Sequence, residues 1–523
     1  MFLQRIANKG IRLGTLFDRA AERHPASPVI LDHVLDIAPE LGHRFTLTEL
    51  ADLVDDFASR LWRLGVRPGD HMVIHKSDGF DISLLACAVV RVGAIPVMLS
   101  SKLDGATVTA LLRRVSQPYL LTDSDKLEQE LPDEVFELSE RVLLASGEYE
   151  RAVPLASMAG VARVRPVTMP PDHPTLITHT SGTTGLPKLA VHTGKTFQAR
   201  YRPQATVVKA AVRSSEAIAV HVSFVHSRMY TAMPISIMQG HPLIVLRDDD
   251  PEHVAEIFAR VPPGFIEAHP NTFLSWEVLS DDPREPLSQV KYFSSTFDAI
   301  HPRTVQSMLK ASKRKGALFA QAYGQSEVGP IAARTYTRER GSKADGRCVG
   351  SPFPGMTAVR VVPRNGQSPT KSSPGYIEVR SDGRIVTYLD EHARWRKQVN
   401  GLWWRMGDLG YRTKWGCLHL LDREVDEIPG IDSTLELEDQ LFSRMPELVE
   451  VIIIPSEKGT PVPVVCTRDD KPLDQAAWRA AVADLPDLDD PVHRSLGDLP
   501  QTATTKIKRL ELASGLKPSE GSP

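Results

Sequence analysis

Residues 178–188 read THTSGTTGLPK. Hydroxyls, glycines and a closing lysine make a poor core and a good anion ligand. Successive backbone N–H groups in such a loop form a concave nest: the glycines let the chain approach the anion, the hydroxyls add donors, and Lys188 adds a charge. Phosphate is the natural guest, and a plain polar surface loop is the competing reading. HTGKT at 192–196 offers a second phosphate candidate. A P-loop, however, needs a glycine five residues before Gly194, and Leu189 stands there.

Three further stretches carry reactive residue types. AYGQSEVGP (322–330) follows a predicted strand and supplies Tyr323, Gly324, Ser326 and Glu327. WWRMGDLGY (403–411) places Asp408 in a glycine-flanked turn, and HLLDREVDEI then brings Arg423. PQTATTKIKR (500–509) places Lys506 in a polar loop near the C-terminus. Each is weak alone, since a lone GD turn or tail lysine is usually structural or solvated. Their order and spacing along one chain are much more specific. No Ser/His/Asp or Cys/His arrangement is recognisable.

Periodicity gives the elements that must position these groups. Thr46 and Glu49 form a capping box, followed by Leu50, Leu53, Val54, Phe57 and Leu61 at helical spacing, which predicts a helix over 46–65. MVIH (72–75), a helix over 80–92 and AIPVML (94–99) make a βαβ unit, which implies parallel pairing. The pattern recurs in AIAVHV (217–222), PLIVL (242–246), a helix over 251–261, GFIEA (264–268), VKYF (290–293), a helix over 301–316 and ALFAQ (317–321). After about 350 the texture changes to short strands and turns: GYIEVRS, RIVTYL and GCLHLLD. The last hundred residues alternate on a smaller scale, with a helix from about 434 to 445 and then VEVIIIP and VPVVC. The expected fold class is α/β: a large N-terminal domain of stacked βαβ subdomains with a small β-rich subdomain, then a small α+β C-terminal domain.

The bulk composition agrees. A chain of 523 residues is too long for one core. Hydrophobic residues at 41% and charged residues at 24% are the balance of a soluble globular protein, and a net charge of −3 with no basic stripe argues against a nucleic-acid partner. Cys87, Cys348, Cys417 and Cys466 have neither zinc nor redox spacing, so reduced thiols and a cytoplasmic setting are expected. The apolar run ISLLACAVVRVGAIPVML is broken by Arg91 and Pro96 and is expected to fold as helix, turn and strand rather than span a membrane.

Taken together, the motifs resemble the adenylate-forming superfamily of acyl-CoA synthetases, peptide-synthetase adenylation domains and luciferases. The resemblance runs from about residue 12 to 512 and includes FTLTELADLVDDFASRLWRLGVRPGD and GRCVGSPFPGM (346–356). It implies that Thr180, Ser181, Gly182, Thr183, Thr184, Gly185 and Lys188 hold the β,γ-phosphates of ATP. Tyr323, with Gly324 beside it, would stack on adenine, and Ser326 would bond the α-phosphate. Glu327 would bind Mg²⁺, Asp408 would grip the ribose, and Arg423 would contact the nucleotide. Lys506 would be the catalytic lysine of a small domain that swings between half-reactions. The implied domains are 1–423, for ATP and acid, and 424–512, with 513–523 a disordered tail. The implied reaction is attack of a carboxylate on the α-phosphorus, then transfer of the acyl group to the thiol of coenzyme A. A carrier-protein phosphopantetheine, another nucleophile, or a non-catalytic binding relic are the alternatives.

Several positions depart from the superfamily pattern. Val425 stands at the hinge, Asp432 at a glycine of the pantetheine-facing loop, Thr505 before the lysine and Met406 within the RTGD segment. STFDA (295–299) replaces a glycine pair and brings Phe297 and Asp298 to the acid site. The segment HVSFVHSRMYTAM (221–233) matches the acid pocket, where amino-acid-activating relatives carry an aspartate; Val225 here implies an apolar acid without an α-amino group. His226 matches the position at the carboxylate end.

Overall fold

The computed structural model describes residues 10–180, 186–297, 299–341, 345–364, 366–456, 459–501 and 507–515. Three sheets organise them. The largest has a parallel core of six strands, in the order Leu318–Gln325, Tyr292–Ser295, Pro263–Ala268, Ala217–His221, Leu243–Val245 and Pro28–Leu31. An antiparallel run continues from Leu318–Gln325 through Gly329–Thr337 and Cys348–Pro352 to Leu418–Arg423, Trp403–Arg412, Gly375–Ser381 and Thr357–Val362. This run is the β-rich part expected after residue 350.

The second sheet holds the βαβ unit foreseen at 72–99, with His71–Ile74 parallel to Ile95–Met98 around the helix Asp81–Arg91. Ten of that helix's eleven residues are buried, which is why its sequence is apolar all round. The neighbouring helix Leu47–Arg63 is amphipathic and starts with the predicted Thr46/Glu49 capping box. The third sheet is small: Leu448–Ile454, Val462–Thr467 and Val492–His493. With the helix Thr434–Arg444 it builds its own core from Leu437, Leu441, Met445, Val451, Ile453 and Trp478. The architecture is therefore the large α/β domain and small α+β domain expected.

Two local expectations differ. Asp408 lies inside the ten-residue strand Trp403–Arg412, directly opposite Arg423 in the ladder, rather than in a turn. Gly407 supplies the left-handed backbone (φ 81°) that lets the strand twist there. The 322–330 stretch is a hairpin, because the strand predicted to end at 321 runs on to Gln325 and pairs with Gly329–Thr337. No helix among the described residues is long and apolar enough to cross a membrane.

Candidate active site

The carboxyl ends of the parallel strands converge on one cavity of about 840 Å³. In open α/β sheets ligands bind at this edge, because loops there can vary while the strands hold them rigidly. Ala217–His221 leads to His226, Pro263–Ala268 to His269, Tyr292–Ser295 to Phe297, and Leu318–Gln325 carries Tyr323; all four side chains line the cavity. From the other sheet, Pro174–His179 ends at Thr180, and Lys188 leads into the returning strand Leu189–Thr193.

The structure brings most of the sequence-predicted residues together. Lys188 Nζ lies 3.1 Å from Glu327 Oε1 and 3.1 Å from the Tyr388 hydroxyl. Tyr388 donates to the same Glu327 oxygen at 2.5 Å, and burial together with that carboxylate pushes its pKa far up. Glu327 Oε2 accepts no hydrogen bond among the described residues, so one oxygen of a buried carboxylate remains for a cation. Thr180 donates its N–H to Lys188 O at 2.9 Å, and its buried hydroxyl has no hydrogen-bond partner among the described residues. An orphaned donor beside a lysine fits a phosphate.

Tyr323 donates its hydroxyl to Asp408 Oδ2 at 2.5 Å. Burial first, and the Asp408 charge second, hold that phenol protonated. Gly324 sits where the hairpin closes: a Cβ there would fall 2.2 Å from Gly329 O. Gln325 ties the hairpin to the Asp408 strand, accepting from Trp404 Nε1 at 3.0 Å and donating to Met406 O at 3.0 Å. Arg423 lines the cavity beside Asp408. His226 Nδ1 accepts the Arg228 N–H at 3.1 Å, which leaves the proton on Nε2, 3.2 Å from Ser326 Oγ.

The acid end differs from expectation. Val225 packs into the main core and does not line the cavity, since the turn after His221 points Phe224 and Val225 inward and hands His226, Ser227 and Arg228 to the cavity. The lining is polar. Arg228 forks onto Glu267 with Nε and Nη2, both side chains being buried, and bonds Gln204 and Thr231 with Nη1. Phe297 does reach the cavity. It is held at φ 85°, with its ring stacked on His269 (4.2 Å between centroids) and edge-on to His226 (4.7 Å). Bulk thus fills the place where the glycine pair was expected. Ser181, Gly182, Thr183, Thr184, Gly185, Asp298 and Lys506 lie outside the described residues.

Three participants were not foreseen: Tyr388, the Arg228–Glu267 pair, and Arg200. Arg200 is 3% exposed and lines the cavity from the helix Gly194–Ala211. Burial lowers its pKa to about 9, opposed by the Glu327 charge, so it stays charged at neutral pH. Nothing local marks these residues, since each is buried only by contacts made far away in sequence.

The small domain borders the same cavity. Glu438, Phe442, Val451, Ile507 and Arg509 line it together with Asp408 and Arg423. Its helix Thr434–Arg444 is anchored to the large domain by Thr434, which donates its N–H and hydroxyl to buried Asp422. Arg347 pairs with Asp439 at 2.8 Å, and His301 packs on Phe442. Val425 is exposed at the connection, and Asp432 lies in the turn just before the helix.

Known proteins match this chain in sequence and in fold. The family model for AMP-binding enzymes covers residues 17–389. A 3-amino-2-hydroxy-4-methoxybenzoate diazotase from Streptomyces cremeus is 46% identical over 96% of this chain and 95% of its own length. A 3-aminoavenalumate diazotase from a Streptomyces species is 24% identical over 78% of this chain and 73% of its own. Among solved structures, an anthranilate–CoA ligase in complex with anthranoyl-AMP superposes with a TM-score of 0.81 at 17% identity, covering 97% of both chains. The chain belongs to the AMP-binding enzymes, an adenylate-forming superfamily.

Proposed function

We propose that this enzyme couples ATP cleavage to diazotisation of an aromatic amine of the aminobenzoate class, with nitrite as the oxyanion activated on AMP. The observation that carries this reading is the 46% identity to an amino-hydroxybenzoate diazotase along nearly the whole of both chains. The polar lining around Gln204, Ser227, Thr231 and the Arg228–Glu267 pair supports a substituted, hydrogen-bonding ring better than an apolar acid.

The steps balance. A nitrite oxygen attacks the α-phosphorus, the bond to the β-phosphate oxygen breaks, and pyrophosphate leaves. The amine nitrogen then attacks the nitroso nitrogen of the mixed anhydride, and AMP departs with the bridging oxygen. The resulting N-nitroso compound shifts a proton and loses water to give the diazonium.

The protein's part is positioning and charge stabilisation, since no protein nucleophile is needed. Thr180, Lys188 and the loop between them hold the leaving phosphates. Ser326 faces the α-phosphate, Tyr323 the adenine, and Asp408 with Arg423 the ribose side. Lys506 is assigned by its motif to the α-phosphate. Glu327 is the carboxylate for Mg²⁺, which would neutralise phosphate charge when bound. His226 orients the attacking oxyanion, and Phe297 walls the ring site. The domain limits 1–423 and 424–512 fit the anchoring of Thr434 on Asp422. Four unpaired thiols favour a reducing, cytoplasmic setting.

Activation of an aromatic carboxylic acid with transfer to coenzyme A, or to a carrier-protein thiol, is the second reading. It is favoured by the small domain bordering the nucleotide cavity, an arrangement suited to a two-step transfer. The test is AMP formation from ATP with 3-aminobenzoate, with and without nitrite and coenzyme A, alongside trapping of the diazonium as an azo dye. Nitrite-dependent AMP with dye formation is expected. AMP formation that needs coenzyme A and ignores nitrite would overturn diazotisation in favour of the ligase.

A further inference from the structure

Four arginines are buried among the described residues, and three have a carboxylate partner: Arg91 with Asp18 and Asp55, Arg228 with Glu267, and Arg347 with Asp439. Arg200, the most buried, has none. It donates Nε to Gly383 O at 2.7 Å, Nη1 to Ser227 Oγ at 3.1 Å and Nη2 to Ser326 O at 3.0 Å. A guanidinium has five N–H donors, so one hydrogen on each terminal nitrogen lacks an acceptor among the described residues. The Glu327 carboxylate offsets this charge only from beyond ion-pair distance, and a buried charge without a direct counter-charge persists where something else compensates it.

The fold makes room for this side chain from both sides. A Cβ at Gly329 would lie 2.6 Å from Arg200 Cγ, and one at Gly383 would lie 2.8 Å from it. The guanidinium is thus placed at one point, between Ser227 and Ser326, where the ring side of the cavity meets the α-phosphate side. Arg228, one residue beyond Ser227, is already neutralised by Glu267 and cannot serve the same purpose.

We propose that Arg200, with Ser227 beside it, is the specificity-determining subsite for a small planar oxyanion, either nitrite or the carboxylate of the aromatic substrate. A guanidinium with one hydrogen left on each of Nη1 and Nη2 can donate to two oxygens on one trigonal atom, which a point charge such as lysine does not reproduce. The proposal rests on the reading above for the identity of the anion. It deepens that reading by assigning the anion a partner distinct from His226 and Lys506.

The test is calorimetric binding to the full chain in the presence of AMP, without turnover, using sodium nitrite, 3-aminobenzoate and aniline as probes. Arg200→Met should weaken an oxyanion probe by about 10- to 100-fold, the range for a charge-assisted pair, while aniline binds as it does to the wild type. Arg200→Lys keeps the charge without the fork and should still weaken it severalfold; it carries the test if the methionine variant does not fold. Loss confined to nitrite identifies the activated anion, loss confined to 3-aminobenzoate identifies the ring carboxylate, and loss of both means that they share the subsite. Unchanged oxyanion affinity in the folded variants, or a wild type that binds neither anion, overturns the proposal. Because nothing turns over, failure of diazotisation leaves the subsite standing, and successful diazotisation does not rescue it.

Discussion

The Arg228–Glu267 pair offers a sharp energetic test of the polar cavity floor. Glu267 sits on the strand Pro263–Ala268, which has parallel neighbours on both sides, and its side chain is 1% exposed; that of Arg228 is 7% exposed. Glu267→Gln keeps the shape and removes the charge. Arg228 then remains buried with only neutral partners, the new amide oxygen, Gln204 and Thr231. Breaking a buried pair from one side costs about 3 to 5 kcal/mol, mostly the penalty of the stranded charge. Arg228→Met should cost a similar amount by stranding the carboxylate. The double variant strands nothing, so its cost should fall short of the sum by about 2 to 3 kcal/mol. Urea unfolding of all four proteins reads these values, taken on the transition of the large domain, because a two-domain chain need not unfold in one step. Additivity within about 0.5 kcal/mol would refute the claim that these groups neutralise each other. It would also remove the contrast with Arg200.

Two further outcomes are expected. Asp408→Asn should weaken AMP binding by about 1.5 to 3 kcal/mol, roughly 10- to 150-fold, because a charged acceptor opposite Arg423 and bonded by Tyr323 is lost; calorimetry showing unchanged affinity would remove Asp408 from the nucleotide site. Asp422 is raised by burial from 3.8 to about 6, the Thr434 hydrogen bonds only partly opposing this. The native state therefore holds a proton that the unfolded chain has lost between about pH 4 and 6, so this group reduces stability as pH rises through that window, by about 3 kcal/mol at most. Asp422→Asn should flatten that part of the pH profile of melting temperature, and a profile identical to the wild type would show that Asp422 does not titrate there.

The sequence by itself determined what depends on local order. Capping at Thr46, the apolar helix at 81–91, the βαβ register at 71–98 and the strand at 375–381 follow from short-range periodicity and sterics. Lys188, Tyr323, Glu327, Asp408 and Arg423 were legible through short motifs in a fixed order, and the structure sets all five around one cavity. The strand around Asp408 was misread as a turn, since its glycines serve a twisted ladder that exists only when Arg423 pairs across it. The acid end was legible only in His226 and Phe297, which line the cavity. Whether Val225 or His226 meets the cavity depends on how the chain turns after His221, and one residue's difference exchanges core for cavity. Arg200, Tyr388 and Glu267 look like ordinary helix and strand residues in the sequence. They become a cation, a phenol and a counter-charge around one cavity only when strands far apart in the chain bury them together, because burial removes the water that would otherwise make their charges inconsequential.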